Sequence, residues 1–413
     1  MTENIVFHNA RLFIGRDEEV IDDATVVVDG STIAYAGPTS GAPTPSEAAT
    51  HDVGGRFVMP GMTESHVHLS YANAHPQQLD RQPIPTAMLD AVDNARMVLA
   101  AGFTSAISFG SAQGIDLPLR DAINRGRIPG PRLAASDRDL GSTGSNADAA
   151  APDSEGRKII ADGPWAVRAA IRMLAKKGVD IVKVFLDGEA ISGHAPVGVL
   201  SYTDDEVAAA VDEAHARGMR VVCHSRSAAA VKQAVRHGID IIGHANFLDD
   251  EAVQMLRDAR DRICVGPGIA WEVALLDRGH EIGLPHDIMV TRGYQHEIDA
   301  TIDSVKRLRD AGVRVLVGGD YGLSITPHGT QGKELEYCVE LFGMSPTEAL
   351  LCATRDGGAA FDAAGMAGTL EADTWADLVI VDGDPTVDVT VLQDLGRICL
   401  VMKDGVAYRH LSD

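Results

Sequence analysis

The segment FVMPGMTESHVH, residues 57–68, decides how the rest of the chain is read. An apolar run from Phe57 to Met59 leads through Pro60-Gly61 into two histidines, His66 and His68, separated by one residue. Residues two apart on a strand point to the same face, so the two imidazoles converge. Four further segments repeat this pattern. IVKVF (181–185) carries Lys183, RVVCH (220–224) ends in His224, IIGH (241–244) ends in His244, and VLVGGD (315–320) ends in Asp320. Each is a β-branched apolar run of the kind that forms a strand buried on both faces of a parallel sheet. Ligands at strand ends converge only if those ends meet, and a barrel of parallel strands makes them meet.

Outward from these segments, strand-like and helix-like patterns alternate, as a parallel sheet requires. Eight strands are expected to start at Phe57, Thr104, Pro131, Ile181, Arg220, Ile241, Ile263 and Arg314. Helical periodicity falls at 86–101, 165–177, 204–217, 228–237 and 291–311. Asp204 is placed to cap its helix with Glu206 in the first turn. Two long loops, 141–163 and 271–290, leave the C-terminal ends of strands and should border a site. Both ends of the chain instead show short alternating strands between Gly and Asp turns, such as DLVIVDGDP at 377–385 and ICLVM at 398–402. The expected fold is α/β: a distorted (β/α)8 TIM barrel over 56–360 with a small β-sandwich built from 1–55 and 361–413.

Composition narrows the function. The chain has 413 residues, 45% of them hydrophobic, enough for a sizeable core. Its formal net charge of −23 repels phosphate backbones and anionic lipid, so neither nucleic acid nor membrane is an expected partner. No apolar run approaches the ~18 residues of a membrane span, and the first residues lack the basic-then-apolar pattern of a secretion signal. A soluble cytoplasmic protein, associating with copies of itself, is the expectation. The five cysteines form no C-x-x-C pair and read as buried free thiols.

The ordered set Pro60-Gly61, His66-x-His68, Lys183, His224, His244 and Asp320 resembles the amidohydrolase superfamily over nearly the whole chain. Within it, the chain is similar to imidazolonepropionases, metal-dependent prolidases, ochratoxinase and phenylurea hydrolases, through GFTS (102–105), GPRLAAS (130–136), VKVF (182–185), DEAHARG (212–218) and MSPTEAL (344–350). The resemblance implies a centre of two divalent transition metals, zinc first and manganese, iron or cobalt as alternatives. His66, His68 and Asp320 would hold one metal, His224 and His244 the other, with a carbamylated Lys183 bridging both. A lysine ammonium has no lone pair for a metal, whereas its carbamate is an anionic oxygen ligand. Lys183 and Asp320 are thus the catalytic candidates, with Asp320 shuttling a proton to the leaving group.

The chain departs from these relatives at several points. Ser65 replaces the usual acidic residue before the first ligand pair, and Gly243 stands where Glu is frequent. Asn146 falls where prolidase-like relatives often have His, and Arg226 where they often have Tyr. Asn146 and Arg226 are therefore expected to touch the substrate, Arg226 through an anionic or electron-rich group and with little bearing on stability. Tyr71, Tyr321 and His328, near strand ends, are further candidates for the pocket lining. The expected function is hydrolysis of a C–N bond in a small molecule, whether amide, cyclic amide or urea. The alternatives are displacement of nitrite, chloride or an amine from an electron-poor heteroaromatic ring, and a non-catalytic scaffold on the same fold.

Overall fold

The computed structural model describes residues 4–45, 47–71, 82–148, 158–192 and 194–409. The two chain ends build one sheet. Strands Asn4–Phe13, Val20–Asp29, Thr32–Pro38 and Ala48–Asp52 join Leu378–Val381, Ile398–Lys403 and Val406–Arg409 through Phe57–Pro60. All eight lie in a single hydrogen-bonded sheet rather than in two separate ones. One apolar cluster, including Phe7, Leu12, Val26, Ile380 and Leu400, draws on both ends of the chain. The hairpin closing at Lys403 and Val406 turns on Asp404 and Gly405, both at positive φ, the tight turn whose twist suits paired strands.

The strand Phe57–Pro60 corrects the sequence expectation. It does not open the parallel set but pairs antiparallel with Leu378–Val381, from Phe57 opposite Val381 to Pro60 opposite Leu378. The parallel set begins one residue later, at Met62–Val67. The break follows from Pro60-Gly61. Proline has no N–H to continue a ladder, and a Cβ on Gly61 would overlap the Thr104 side chain of the neighbouring strand.

The parallel strands form two groups. Met62–Val67, Phe103–Ser108 and Arg132–Ala134 make a three-stranded sheet. Ile159–Ile160, Leu140–Gly141, Ile181–Phe185, Arg220–Ser227, Ile241–Phe247, Cys264–Gly266 and Arg314–Val315 make a seven-stranded one. Backbone hydrogen bonds reach across both seams: the Asp180 and Ile181 N–H groups donate to the Ala135 carbonyl (2.9 and 3.3 Å), Ser65 N–H to the Val317 carbonyl (2.9 Å) and His68 N–H to the Tyr321 carbonyl (3.2 Å). Ile159–Ile160, paired with Leu140–Gly141, lies within the stretch 141–163 read from sequence as a loop. The other expected loop, 271–290, is largely helical, with helices Ile269–Arg278 and His286–Thr291. Its Gly and Pro residues suggest a loop, but Gly279 and Pro285 sit between helices and at a helix start.

The intervening helices fall where the periodicity placed them: Ile84–Ala100, Pro164–Lys177, Asp204–His215, Ala228–His237 and Tyr294–Asp310. The cap of the third is Thr203, not Asp204. The Thr203 N–H donates to the Glu206 carboxylate at 2.8 Å, half of a reciprocal capping box. Cys223, Cys264, Cys338 and Cys352 are buried free thiols and Cys399 is half-buried. Among the described residues no helix is long and apolar enough to cross a membrane.

Candidate metal centre

His66 and His68 leave the C-terminal end of Met62–Val67 on one face, with ring centroids 5.4 Å apart. His68 Nδ1 meets the Gly110 carbonyl at 2.9 Å, which fixes the ring and leaves Nε2 facing Asp320 Oδ1 at 3.0 Å. His66 Nε2 lies 3.5 Å from the same oxygen, its ring stacked on Phe109 at 4.0 Å. His224, on Arg220–Ser227, sets Nε2 against the Gly188 carbonyl at 3.3 Å, leaving Nδ1 as the free lone pair. His244, on Ile241–Phe247, stands 4.4 Å from the His224 ring and 5.1 Å from the His66 ring, centroid to centroid.

Two of these side chains sit on backbone that side-chain-bearing residues rarely adopt. His244 has φ 79° and Asp320 φ 58°. Such conformations persist where the surroundings enforce them, and they cluster at functional sites. Donor atoms of His66, His244 and Asp320 lie within 4.8 Å of one another. Among the described residues, His66 Nδ1 and both ring nitrogens of His244 are buried with no hydrogen-bond partner. An orphaned buried polar atom is costly unless something binds it. Burial pushes the pKa values of His66, His224 and His244 well below the ordinary imidazole value, so all three are neutral and carry a lone pair. These residues fit a divalent metal.

Lys183 enters from the middle of Ile181–Phe185 and is 2% exposed. Its Nζ lies 4.7 Å from the Phe109 ring centroid and 4.8 Å from that of Phe185, and no carboxylate among the described residues pairs with it. Burial, opposed by the Asp320 charge, brings the ammonium pKa down to about 8. For Asp320 itself, burial works against the charged form. His66, His68 and Lys183 outweigh it, so the carboxylate stays ionised well below the usual range.

The expected substrate-contacting residues divide. Tyr71 stacks on His68 at 4.2 Å with the rings 5° from parallel, half-buried beside the centre. Asn146 is half-buried, and its Nδ2 donates to Glu189 Oε1 at 3.2 Å. His328 is 3% exposed, with Nε2 at the His68 carbonyl (3.1 Å) and Nδ1 at Gln331 (3.2 Å). Both its nitrogens serve the protein, so its place is behind His68 rather than on the pocket wall. Tyr321 is 2% exposed and packs towards the buried carboxyls of Glu64 and Glu334.

Arg226 departs furthest from expectation. It is fully buried, and its Nη1 pairs with Glu272 at 2.9 Å and, closer still, with Glu297. Nη2 lies 3.4 Å from Glu189. Asn246 and Thr301 complete the network through Glu272. Arg226 is therefore held inside the protein, and its guanidinium is not an open anion receptor. Removing one partner of a buried ion pair costs about 3–5 kcal/mol. Arg226→Met, which keeps the volume and removes the charge, is expected to lower the unfolding free energy by about that much in urea denaturation. An unchanged midpoint and slope would show that the network adds nothing to stability.

Sequence reasoning missed Glu189, Glu272 and Glu297. Glu189 lies in Asp187-Gly188-Glu189, directly after the Lys183 strand, where acidic residues pass for turn formers. Glu272 and Glu297 sit on helices and read as ordinary polar faces.

Residues 57–407 match the model of the Amidohydrolase family, and the chain belongs to that family, as an enzyme of the hydrolase class. It is 26% identical to ochratoxinase of Aspergillus niger over 432 aligned positions, covering 97% of this chain and 86% of that protein. It is 23% identical to imidazolonepropionase of Xanthomonas oryzae pv. oryzae, covering 94% of each. The solved structure of a prolidase complexed with N-methylphosphonate-L-proline superposes with TM-score 0.89 at 28% identity, over 98% of this chain and all of that one.

Proposed function

We propose that the chain is a metal-dependent hydrolase of a C–N bond, in an amide, cyclic amide or urea of a small molecule. The barrel reading goes with it: the ten parallel strands act as one distorted (β/α)8 wall, with the site at their C-terminal ends. The observation that carries the proposal is the clustering of His66, His68, His224, His244 and Asp320, with both His244 ring nitrogens buried and unpartnered among the described residues. His66, His68 and Asp320 would hold one divalent metal, and His224 and His244 a second. When bound, the metals supply Lewis-acid polarisation of a carbonyl and activation of water.

The protein's own groups supply the rest. Lys183 Nζ, partly neutral near pH 8, would add carbon dioxide: an N–C bond forms as one C=O π bond opens onto oxygen, the nitrogen releases a proton to solvent, and the resulting carbamate would offer anionic oxygens to the metals. Asp320, an ionised carboxylate throughout the working range, accepts a proton from the attacking water and returns it to the leaving nitrogen. The Gly110 and Gly188 carbonyls orient His68 and His224, a support that matters to metal sites as much as the ligands do. A purely structural role is disfavoured because donor atoms of His66, His244 and Asp320 lie within 4.8 Å of one another and the His244 ring nitrogens have no hydrogen-bond partner among the described residues. Ochratoxinase, imidazolonepropionase and prolidase, the names of the relatives, are consistent with C–N cleavage.

The test is a panel of anilides, N-acyl amino acids, lactams, hydantoins, ureas and Xaa-Pro dipeptides, with nitro- and chloro-substituted heteroaromatics alongside. Metal-loaded protein should release equimolar amine and acid from at least one amide-type compound. Turnover of the heteroaromatics alone would replace this reading by displacement at a ring carbon.

A further inference from the structure

We propose that the outward face of helix Pro164–Lys177 is the contact between two copies of this chain, which meet antiparallel about a two-fold axis near Ala169. Trp165 is 82% exposed, more than any other large hydrophobic side chain among the described residues, and Met173 is 52% exposed. Trp165, Ala169 and Met173 are spaced i, i+4, i+8, so they form one stripe, all of it on the solvent side. The opposite stripe, Val167, Ile171 and Leu174, is buried in the core. The helix therefore has a second apolar face that its own fold leaves in water. Ile160, Val199 and Leu200 are exposed as well and border the N-terminal end of that face. The Ser201 carbonyl accepts from Ser142 Oγ at 2.5 Å, and Asp162 accepts from the Thr143 N–H at 2.9 Å, which ties these segments together. Exposed apolar groups gathered in one place mark an interaction surface.

Charge identifies the occupant as a second copy. The chain carries a formal net charge of −23, so two copies repel unless unlike charges meet where they touch. This helix carries Arg168, Arg172, Lys176 and Lys177 and no acidic residue. Arg168 and Arg172 turn towards Asp212 and Glu213 of helix Asp204–His215, and Lys177 turns towards Asp137. Lys176, in the last turn, is exposed and has no partner among the described residues. The two helices run side by side in one direction. The Gly163 N–H donates to Glu206 Oε1 at 2.6 Å at their start, and Arg172 meets Glu213 at 2.7 Å further along. The start of the second helix brings Asp204, Asp205 and Glu206 to the Trp165 end, where Asp162 also lies. Asp205 is exposed and, like Lys176, has no partner among the described residues. The face is thus acidic at its Trp165 end and basic at its Met173 end. A two-fold contact uses the same patch on both copies, so the patch must complement itself. An antiparallel pair centred on Ala169 does this: the acidic end of each copy meets the basic end of the other. It also sets each Trp165 over Met173 of the other copy, about 12 Å along the axis from its own. The sulfur–aromatic contact adds to the apolar burial, and the small Ala169 side chain lets the two helices approach closely. A wholly acidic or wholly basic partner would match one end and be repelled by the other.

The experiment is sedimentation velocity of the full chain at several concentrations. Wild type is expected as a dimer or a multiple of one. Trp165→Glu and Met173→Glu, each tested alone, should halve the mass or raise the dissociation constant about 30-fold or more, the effect of an interface hot spot. Melting temperatures should stay near wild type, because neither side chain belongs to the core. Lys176→Glu and Asp205→Lys should each weaken association, since each brings like charges together at both ends of the pair. Mixed in equal amounts, these two variants should associate again, because the mixed dimer faces unlike charges at both ends. A monomeric wild type overturns the inference, and so do Trp165→Glu and Met173→Glu proteins that assemble as wild type does. A mixture that stays dissociated overturns the antiparallel two-fold, and the inference with it.

Discussion

Replacing Lys183 with alanine is expected to lower kcat/KM by about 10³-fold or more, and short carboxylic acids are expected to restore part of it. The loss follows from the proposed role of Lys183, whose carbamate would supply an anionic ligand to both metals. Electrostatic stabilisation by metal ions contributes several kcal/mol, and each ~1.4 kcal/mol is tenfold in rate. The environment of Nζ favours the chemistry. With a pKa of about 8, roughly half the amine is neutral at pH 8, against ~0.3% for an ordinary lysine of pKa about 10.5. Only the neutral amine reacts with carbon dioxide. Reloading of metal-stripped protein should therefore quicken with added bicarbonate and slow as pH falls below about 8. The Phe109 and Phe185 rings flanking Nζ exclude water and offer no competing carboxylate. Near-normal turnover in Lys183→Ala, with no effect of bicarbonate, would remove Lys183 from the site.

Asp320→Asn should keep the fold while reducing turnover on the order of 10²–10⁴-fold, the range of general acid–base groups. The amide has the same shape and can still face His68, but it cannot accept and return a proton. Asp320 remains ionised far into acid, so the wild-type rate should not lose this base at any mildly acidic pH. The variant should lose rate across the whole profile rather than on one limb. Wild-type rates with an unchanged pH profile would contradict the shuttle role.

The candidate ligands were legible because each lies in or just after an apolar strand-like run, with His66 and His68 sharing one. The run before His224 names both the strand and the residue it delivers, and so does the run before His244. Partnerships made across the chain were not legible. Phe57–Pro60 looks like the first barrel strand because nothing local reveals Leu378–Val381, more than 300 positions later, as its partner. Arg226 looks like an exposed pocket group because Glu272 and Glu297 lie 46 and 71 positions away, and burial decides what an arginine does. The stretch 271–290 misled for a different reason. Its Gly and Pro residues mark helix boundaries there, which short-range composition does not distinguish from a loop.

The proposed two-metal centre comprises His66, His68, Lys183, His224, His244 and Asp320. The direct measurement is a titration of metal-free protein with zinc or manganese in bicarbonate buffer, following bound metal and hydrolytic rate together. The account expects activity to rise until about two metal ions are bound per chain, and Lys183→Ala to bind fewer and stay inactive until a short carboxylate is added. Full activity at one metal per chain, or activity independent of metal, would contradict it.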